Sequence, residues 1–331
     1  MSISPMQLGV IGAGNWGANL IRNCAQLGVL YVVCDTSPTA LDGIEVDYPG
    51  VVTTTDVDSL LQEPIHGVII AAPAHLHAML GRRAIAAGKH IFVEKPFALS
   101  VADAEAVAGA AGQAGLECFA GHVLLFHPAI RRLLELVRGG AIGRIVHVRS
   151  RRTGLGRLRE HESVWWSYAP HDVALVLALL GTPPTLVSGV QHRASGHPLA
   201  DFAYADFEFS AGASAHVEVT WLDPERSSRL DVFGGDGVLS FKDTPAGGTL
   251  TLTRYEVTTS QRGGRSIDSG PVENIPFQMA EPLRCELEAF LEAVATGAAT
   301  PCDARAAVEV VRVLSSLDAR APVFREMAVA L

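Results

Sequence analysis

Two short motifs carry most of the chemistry this sequence offers: Gly12-Ala13-Gly14-Asn15-Trp16-Gly17, and Glu94-Lys95-Pro96 after a short apolar stretch. In a Gly-x-Gly-x-x-Gly turn, Gly12 permits the tight bend, Gly14 lets the main chain approach a pyrophosphate, and Gly17 allows close helix packing. The following helix N-terminus faces the negative charge. An ammonium at Lys95 can lie beside a hydroxyl and stabilise the alkoxide that develops as its proton leaves. Together the two motifs read as hydride transfer with a dinucleotide. The plainer alternatives are an ordinary turn and a lone surface lysine. Against the second, the chain has three lysines and twenty-three arginines, so lysine here runs against its habit.

Two further residues belong to this reading. Asp35 ends a second apolar strand, where a carboxylate would accept from the adenosine ribose hydroxyls and repel a 2'-phosphate. No Arg or Lys follows in Thr36-Ser37-Pro38, so NAD is favoured over NADP; the alternative is an exposed strand-end aspartate. His171 follows Pro170 and precedes Asp172, at the expected start of an apolar helix, Val173 to Leu180. A helix N-terminus disfavours the imidazolium and would keep the ring ready to take a proton near pH 7, although a histidine so placed is, taken alone, more often a structural cap. His75, His77 and His122 show no recognised ligand spacing, and no metal is expected.

The elements that must hold these residues are legible in outline. Leu8 to Ile11 is an apolar strand entering the glycine turn, Ala18 to Leu27 has helical character, and Leu30 to Cys34 is the strand before Asp35. That context strengthens the glycine match. Asp56 to Leu61, His75 to Ala87 and Val101 to Ala114 read as helices, and Gly67 to Ala71 and His90 to Val93 as apolar strands. Such alternation predicts an α/β domain with a doubly wound parallel sheet over residues 1–121. Beyond it, Pro128 to Arg138 reads as a helix, Ile145 to Arg151 as a strand, and a helix starts near Pro170. From Thr185 to Val257 several strands alternate with period two, and helices run from Pro282 to Thr296 and from Asp303 to Leu317. Residues 122–331 are therefore expected to form an α+β domain with a large, mostly antiparallel sheet.

A chain of 331 residues with 48% hydrophobic content supports two domains. No apolar run reaches the roughly 20 residues of a membrane helix, and no basic segment precedes the first apolar stretch, so neither membrane nor export is indicated. Five cysteines, Cys24, Cys34, Cys118, Cys285 and Cys302, show no paired spacing, which fits a reducing cytoplasm. The net charge of -9 argues against nucleic acid as a partner. Positive charge is nonetheless concentrated at Arg149, Arg151, Arg152, Arg157 and Arg159, either a seat for an anionic substrate, since guanidinium forks match phosphate oxygens two at a time, or a solvated strand edge.

The glycine turn, Pro73-Ala74-His75-Leu76-His77, Glu94-Lys95-Pro96 and the later histidine together resemble the Gfo/Idh/MocA oxidoreductases, and the resemblance extends to Phe233-Gly234-Gly235-Asp236-Gly237 and Glu281-Pro282-Leu283-Arg284. It implies a Rossmann domain followed by a substrate domain, with Lys95 and His171 assisting proton removal from a sugar or polyol hydroxyl. It also implies NAD contacts from Gly12, Gly14, Asn15, Trp16, Gly17, Asp35, Ala72, Pro73, His77, Glu94, Lys95 and Pro96. Many members carry aspartates where this chain has Ser167 and Ala174. Instead Trp165-Trp166-Ser167-Tyr168-Ala169-Pro170-His171-Asp172 is similar to a nucleotide-sugar branch, as is Arg152 to Arg159, except that Gly154 stands where that branch commonly has asparagine.

That branch implies oxidation of the 3-hydroxyl of UDP-N-acetylglucosamine, or of its glucuronate form, ahead of a transaminase in 2,3-diamino sugar synthesis for lipid A or surface polysaccharide. Arg157 and Arg159 would then hold the diphosphate, Trp166 and Tyr168 would flank sugar or uracil, and His122, Arg152, His171 and Asp172 would complete the substrate site. Inositol or free-sugar oxidation, and a non-catalytic nucleotide-binding regulator, are the competing readings. A homotetramer paired through the open sheet face is expected, with a dimer as the alternative.

Overall fold

The computed structural model of the chain describes residues 6–156, 158–244, 247–259, 264–320 and 323–325. The chain divides into two compact units, Met1–Val123 with Glu281–Arg312, and Leu124–Ala280 with Val313–Leu331.

The first unit alternates strands and helices: β1 (Leu8–Ile11), α1 (Gly17–Gln26), β2 (Leu30–Cys34), α2 (Pro38–Asp47), β3 (Val52–Thr54), α3 (Val57–Gln62), β4 (Gly67–Ile70), α4 (His77–Ala86), β5 (His90–Glu94), α5 (Val101–Ala114) and β6 (Cys118–Gly121). All strands are parallel, in the order β3-β2-β1-β4-β5-β6. Every residue of β1 and β4 is buried, as helices on both faces require, which is why these strands read as unbroken apolar runs. Helix starts are set by side chains: Ser37 accepts from Ala40 N with Pro38 at the first helical position, Asp56 accepts from Asp58 N and Ser59 N, and Ser100 accepts from Asp103 N. A short 3-10 turn, Ala74–Leu76, precedes α4.

The second unit holds α6 (Pro128–Arg138), β7 (Ile145–Leu155), α7 (Val164–Leu180), β8 (Leu186–Arg193), β9 (Phe202–Glu208), β10 (Ser214–Thr220), β11 (Leu222–Gly234), β12 (Gly237–Lys242), β13 (Thr249–Thr259) and β14 (Arg265–Asn274). After them come α8 (Pro282–Thr296), α9 (Ala304–Arg320) and β15 (Val323–Arg325). The sheet order is β14-β13-β12-β11-β7-β10-β9-β8-β15; only the β7/β10 and β8/β15 pairs are parallel. Period-two alternation is clear in β9, where Ala203, Ala205 and Phe207 are buried while Tyr204, Asp206 and Glu208 are not. Helix α7 packs on β7, β9 and β10.

Helix α8 lies in the first unit, although chain order alone places it with residues 122–331. Phe290 meets the rings of Phe92 and Phe119 edge-on at 5.7 Å, and Glu281, just before α8, accepts from Arg22 and Asn23 of α1. The reason is an apolar stripe at Leu283, Leu287, Phe290 and Ala293 that is buried against that unit.

Helix α7 corrects one expectation. It begins at Val164, not near Pro170, so Pro170 and His171 sit inside the helix and the helix-start dipole does not act on His171. Proline fixes φ near the helical value, but it withholds its N–H from the Trp166 carbonyl and crowds that carbonyl with its ring, a cost of about 3 kcal/mol. Burial of Val164, Trp165, Trp166 and Ala169 on one side of it, and of Asp172 to Val176 on the other, carries the helix through. Among the described residues no helix is long and apolar enough to cross a membrane.

Candidate active site

The glycine turn is built around main-chain approaches that no side chain would allow. Gly12 has φ +102°, and a Cβ there would lie 2.6 Å from the Ala71 carbonyl oxygen; a Cβ on Gly17 would lie 2.0 Å from the Gly12 oxygen. Gly14 differs: a Cβ would meet nothing within 4 Å, so this position faces open space. Asp35 braces the turn from the end of β2. Its Oδ2 accepts from Ala13 N at 2.6 Å and its Oδ1 from Ser37 N at 2.8 Å. A tight turn with one open glycine, followed by a helix start and flanked by a fixed carboxylate, fits the pyrophosphate and ribose of a dinucleotide.

Trp16 carries this turn across to β5. Its indole Nε1 donates to Glu94 Oε1 at 2.5 Å, while Lys95 N donates to Oε2 of the same carboxylate at 3.1 Å. Glu94 is buried and pairs in register with Gly121, whose Cα faces the carboxylate so closely that a Cβ would come within 3.1 Å of it. Burial pushes the Glu94 pKa up, and the Trp16 hydrogen bond and the Lys95 charge work against that rise. His122, next along from Gly121, is buried and its pKa is pushed down to about 4, first by burial and then by the Lys95 charge. The ring is therefore neutral near pH 7. His77, at the start of α4, lies between the carbonyls of Ala72 and Pro96. The structure thus gathers Gly12 to Gly17, Asp35, Ala72, His77, Glu94, Lys95, Pro96 and His122 at the carboxyl ends of the parallel strands, where ligands of such sheets bind.

In the second unit the buried Asp172 of α7 faces the sheet. Asp172, 1% exposed, accepts from both Arg152 Nε at 2.9 Å and Arg152 Nη2 at 3.1 Å, and from Ser150 Oγ at 2.6 Å. Arg152 completes its set by donating to Ser228 Oγ. His171 precedes this pair on α7 and is partly exposed. Tyr168 is half-buried, edge-on to Trp221 and against Gly156. Trp166 is buried, donating to Asp318 of α9 at 2.5 Å. Arg149 and Arg229 converge on the buried Asp231, and Arg151 pairs with Asp223 at 3.0 Å. Arg159 stays more than half exposed, with Glu162 at 3.9 Å. Arg157 lies outside the described residues. Among the described residues, no three His, Cys, Asp or Glu side chains are grouped as a metal ion would require.

Family models match both parts of the chain: residues 6–122 fit the oxidoreductase family with an NAD-binding Rossmann fold, and residues 130–240 fit the GFO/IDH/MocA C-terminal domain. The chain belongs to the Gfo/Idh/MocA oxidoreductases. It binds NAD through this Rossmann domain and is an NAD-dependent dehydrogenase. Its similarity to the UDP-N-acetylglucosamine 3-dehydrogenase of Acidithiobacillus ferrooxidans is 26% identity over 90% of this chain and 91% of that protein. A solved structure of that protein superposes with a TM-score of 0.83, covering 96% of this chain and 97% of that one. The scyllo-inositol 2-dehydrogenase (NAD(+)) of Bacillus subtilis is 28% identical over 73% of this chain and 71% of its own length. In fold alone the chain also resembles GenD2 from gentamicin A biosynthesis, solved with NAD, at a TM-score of 0.81 and 20% identity.

In this Gfo/Idh/MocA chain one buried acid escaped the reading of the sequence. Glu286 of α8 is fully buried, neither carboxyl oxygen has a hydrogen-bond partner, and burial, then the nearby Glu94 charge, holds its pKa well above the ordinary range. Burial thus favours its protonated, neutral form. The signal was its spacing, since it falls between Leu283 and Phe290 on the apolar face of an amphipathic helix.

Proposed function

We propose that the chain oxidises the 3-hydroxyl of UDP-N-acetylglucosamine to the 3-keto sugar, the glucuronate form being the near alternative. The single observation that carries the reaction type is the position of Lys95, immediately after a carboxylate whose two oxygens are committed to Trp16 and to the Lys95 main chain. The Lys95 ammonium donates to the substrate hydroxyl oxygen and stabilises negative charge there as the proton leaves. His171 accepts that proton. NAD, when bound, supplies the acceptor for the carbon-bound hydrogen. Arg152 and Asp172, by holding each other, fix the stretch of α7 from which His171 projects.

The substrate class is supported by the near full-length similarity to the Acidithiobacillus ferrooxidans dehydrogenase. Arg159, exposed and only loosely paired, is available to a diphosphate, with Tyr168 flanking the sugar. The ketone product suits consumption by an aminotransferase. An inositol dehydrogenase is the second reading, favoured by the 28% identity to the Bacillus subtilis enzyme. Arg159→Ala separates the two. KM for the UDP-sugar rises about tenfold or more if a diphosphate contact of some 1.5–3 kcal/mol is lost, with KM for NAD unchanged. An unchanged KM for the UDP-sugar refutes the diphosphate assignment.

A further inference from the structure

His77 is buried, and both of its ring nitrogens face main-chain carbonyls: Nδ1 lies 2.8 Å from the Pro96 oxygen and Nε2 lies 2.7 Å from the Ala72 oxygen. A carbonyl oxygen only accepts. A neutral imidazole has one N–H and one bare nitrogen, so either tautomer would press a lone pair against a carbonyl lone pair at hydrogen-bond distance. Turning the ring over would present C–H groups to both oxygens and lose both bonds. Only the imidazolium donates to both.

From this geometry we infer that His77 is a buried imidazolium in the folded protein, a cationic strap that ties the chain after β4, at Ala72, to the chain after β5, at Pro96, and so positions Lys95. The inference rests on the reading of Lys95 as the group that handles the substrate hydroxyl, because the carbonyl gripped by Nδ1 belongs to the next residue. His77 is thereby a positioning residue. It acts on the two strand ends between which a dinucleotide's reactive end would lie.

Charged and titratable groups lie on the elements next to this ring. On β5 they are His90, which accepts from Glu117 N, and Glu94, which accepts from Trp16 and from Lys95 N, with Lys95 just beyond the strand. On α5 they are Asp103, which accepts from Ser100, and Glu105, which pairs with Arg312. On the same segment as His77 itself, His75 is exposed and Arg83 pairs with Asp58. Strand β4 has no ionisable side chain. Against the cation stand burial, the Lys95 charge and the dipole of α4, whose first residue is His77. Two charge-assisted bonds, one at each ring nitrogen, outweigh these effects, because either neutral tautomer leaves a lone pair against a carbonyl oxygen.

Long-range proton–nitrogen correlation NMR on the nitrogen-15-labelled apoprotein reads the charge directly. Both His77 nitrogens are expected to be protonated at pH 7, and the pair of signals should vanish in His77→Gln. If that variant does not fold, couplings across the hydrogen bonds to the Ala72 and Pro96 carbonyl carbons give the same assignment in the unaltered protein. One bare ring nitrogen at pH 7 would overturn the inference. In kinetics, His77→Gln keeps one donor and loses the strap, so kcat should fall about tenfold to a hundredfold with the fold retained; an unchanged kcat would overturn the positioning role. A full rate in Lys95→Met would instead remove the reading of Lys95, and leaves the His77 spectrum as it is.

Discussion

The indole of Trp16 and the carboxylate of Glu94 are joined by a 2.5 Å hydrogen bond that runs from the glycine turn after β1 to the end of β5, with β4 between those two strands in the sheet. The bond couples the segment that receives a pyrophosphate to the segment that presents Lys95. Trp16→Phe keeps the ring and removes the donor. At about 1.5–3 kcal/mol for a bond to a charged group, the Kd for NAD should rise roughly tenfold to a hundred-and-fiftyfold. Trp16 is 44% exposed while the other three tryptophans are at most 7% exposed, so a fluorescence titration with the cofactor reports on this site in the wild-type protein, and calorimetry measures the variant.

The two outer glycines and the middle one should respond differently to alanine. Gly12→Ala and Gly17→Ala drive a Cβ into main-chain oxygens at 2.6 and 2.0 Å, and should lower the melting temperature of the apoprotein. Gly14→Ala meets no protein atom, so its melting temperature should hold while NAD affinity drops. Thermal melts with and without NAD make the comparison. A Gly14→Ala protein that binds NAD normally would remove the pyrophosphate from this turn.

Breaking the buried pair of Arg152 and Asp172 should be costly. Asp172→Ala leaves a mostly buried guanidinium without its partner, and such changes cost about 3–5 kcal/mol. Chemical denaturation should show that loss, and Arg152→Met in the Asp172→Ala background should recover part of it. If Asp172→Ala alone denatures like the wild type, the pair does not hold α7 in place.

Glu286 makes a prediction with a definite sign. Its folded-state pKa lies well above the ordinary glutamate value of about 4.3, because burial, then the Glu94 charge, disfavours ionisation. Below about pH 4 both folded and unfolded chains hold the proton, so the group is neutral to stability there. Above it the unfolded chain releases the proton and the folded one does not, so stability drops as pH rises. Glu286→Gln should therefore be more stable than wild type near pH 8, with the gap closing toward pH 4. Urea unfolding at both values checks this, and a gap that widens on acidification would mean the acid is ionised in the fold.

How much of this was legible beforehand depends on what each segment must satisfy. Strands β1, β4 and β5 and the turn at Gly12 were readable because burial on both faces leaves an unbroken apolar run and the turn tolerates only glycine. Helices α5, α6 and α8 matched their expected bounds because serine and proline mark their starts. The start of α7 was misplaced because Pro170 looks like a first-turn residue, and only burial on both sides shows the helix passing through it. Strand β14 was missed, since Arg265–Asn274 is exposed throughout and contains Gly270-Pro271, leaving no periodic signal. At the site, residue types announced Lys95 and Asp35, but partners did not. That Arg152 faces Asp172, that Trp16 reaches Glu94 and that His77 lies between two carbonyls are facts of tertiary packing.

The central claim is that Lys95 serves the oxidation of a UDP-sugar hydroxyl with NAD. The most direct measurement is NADH absorbance with NAD and, side by side, UDP-N-acetylglucosamine, its glucuronate form and myo-inositol, for wild type and Lys95→Met. NADH should form with a UDP-sugar, and the Lys95→Met rate should fall about a hundredfold to ten-thousandfold. NADH formation from myo-inositol alone, or an undiminished rate in Lys95→Met, would contradict the account.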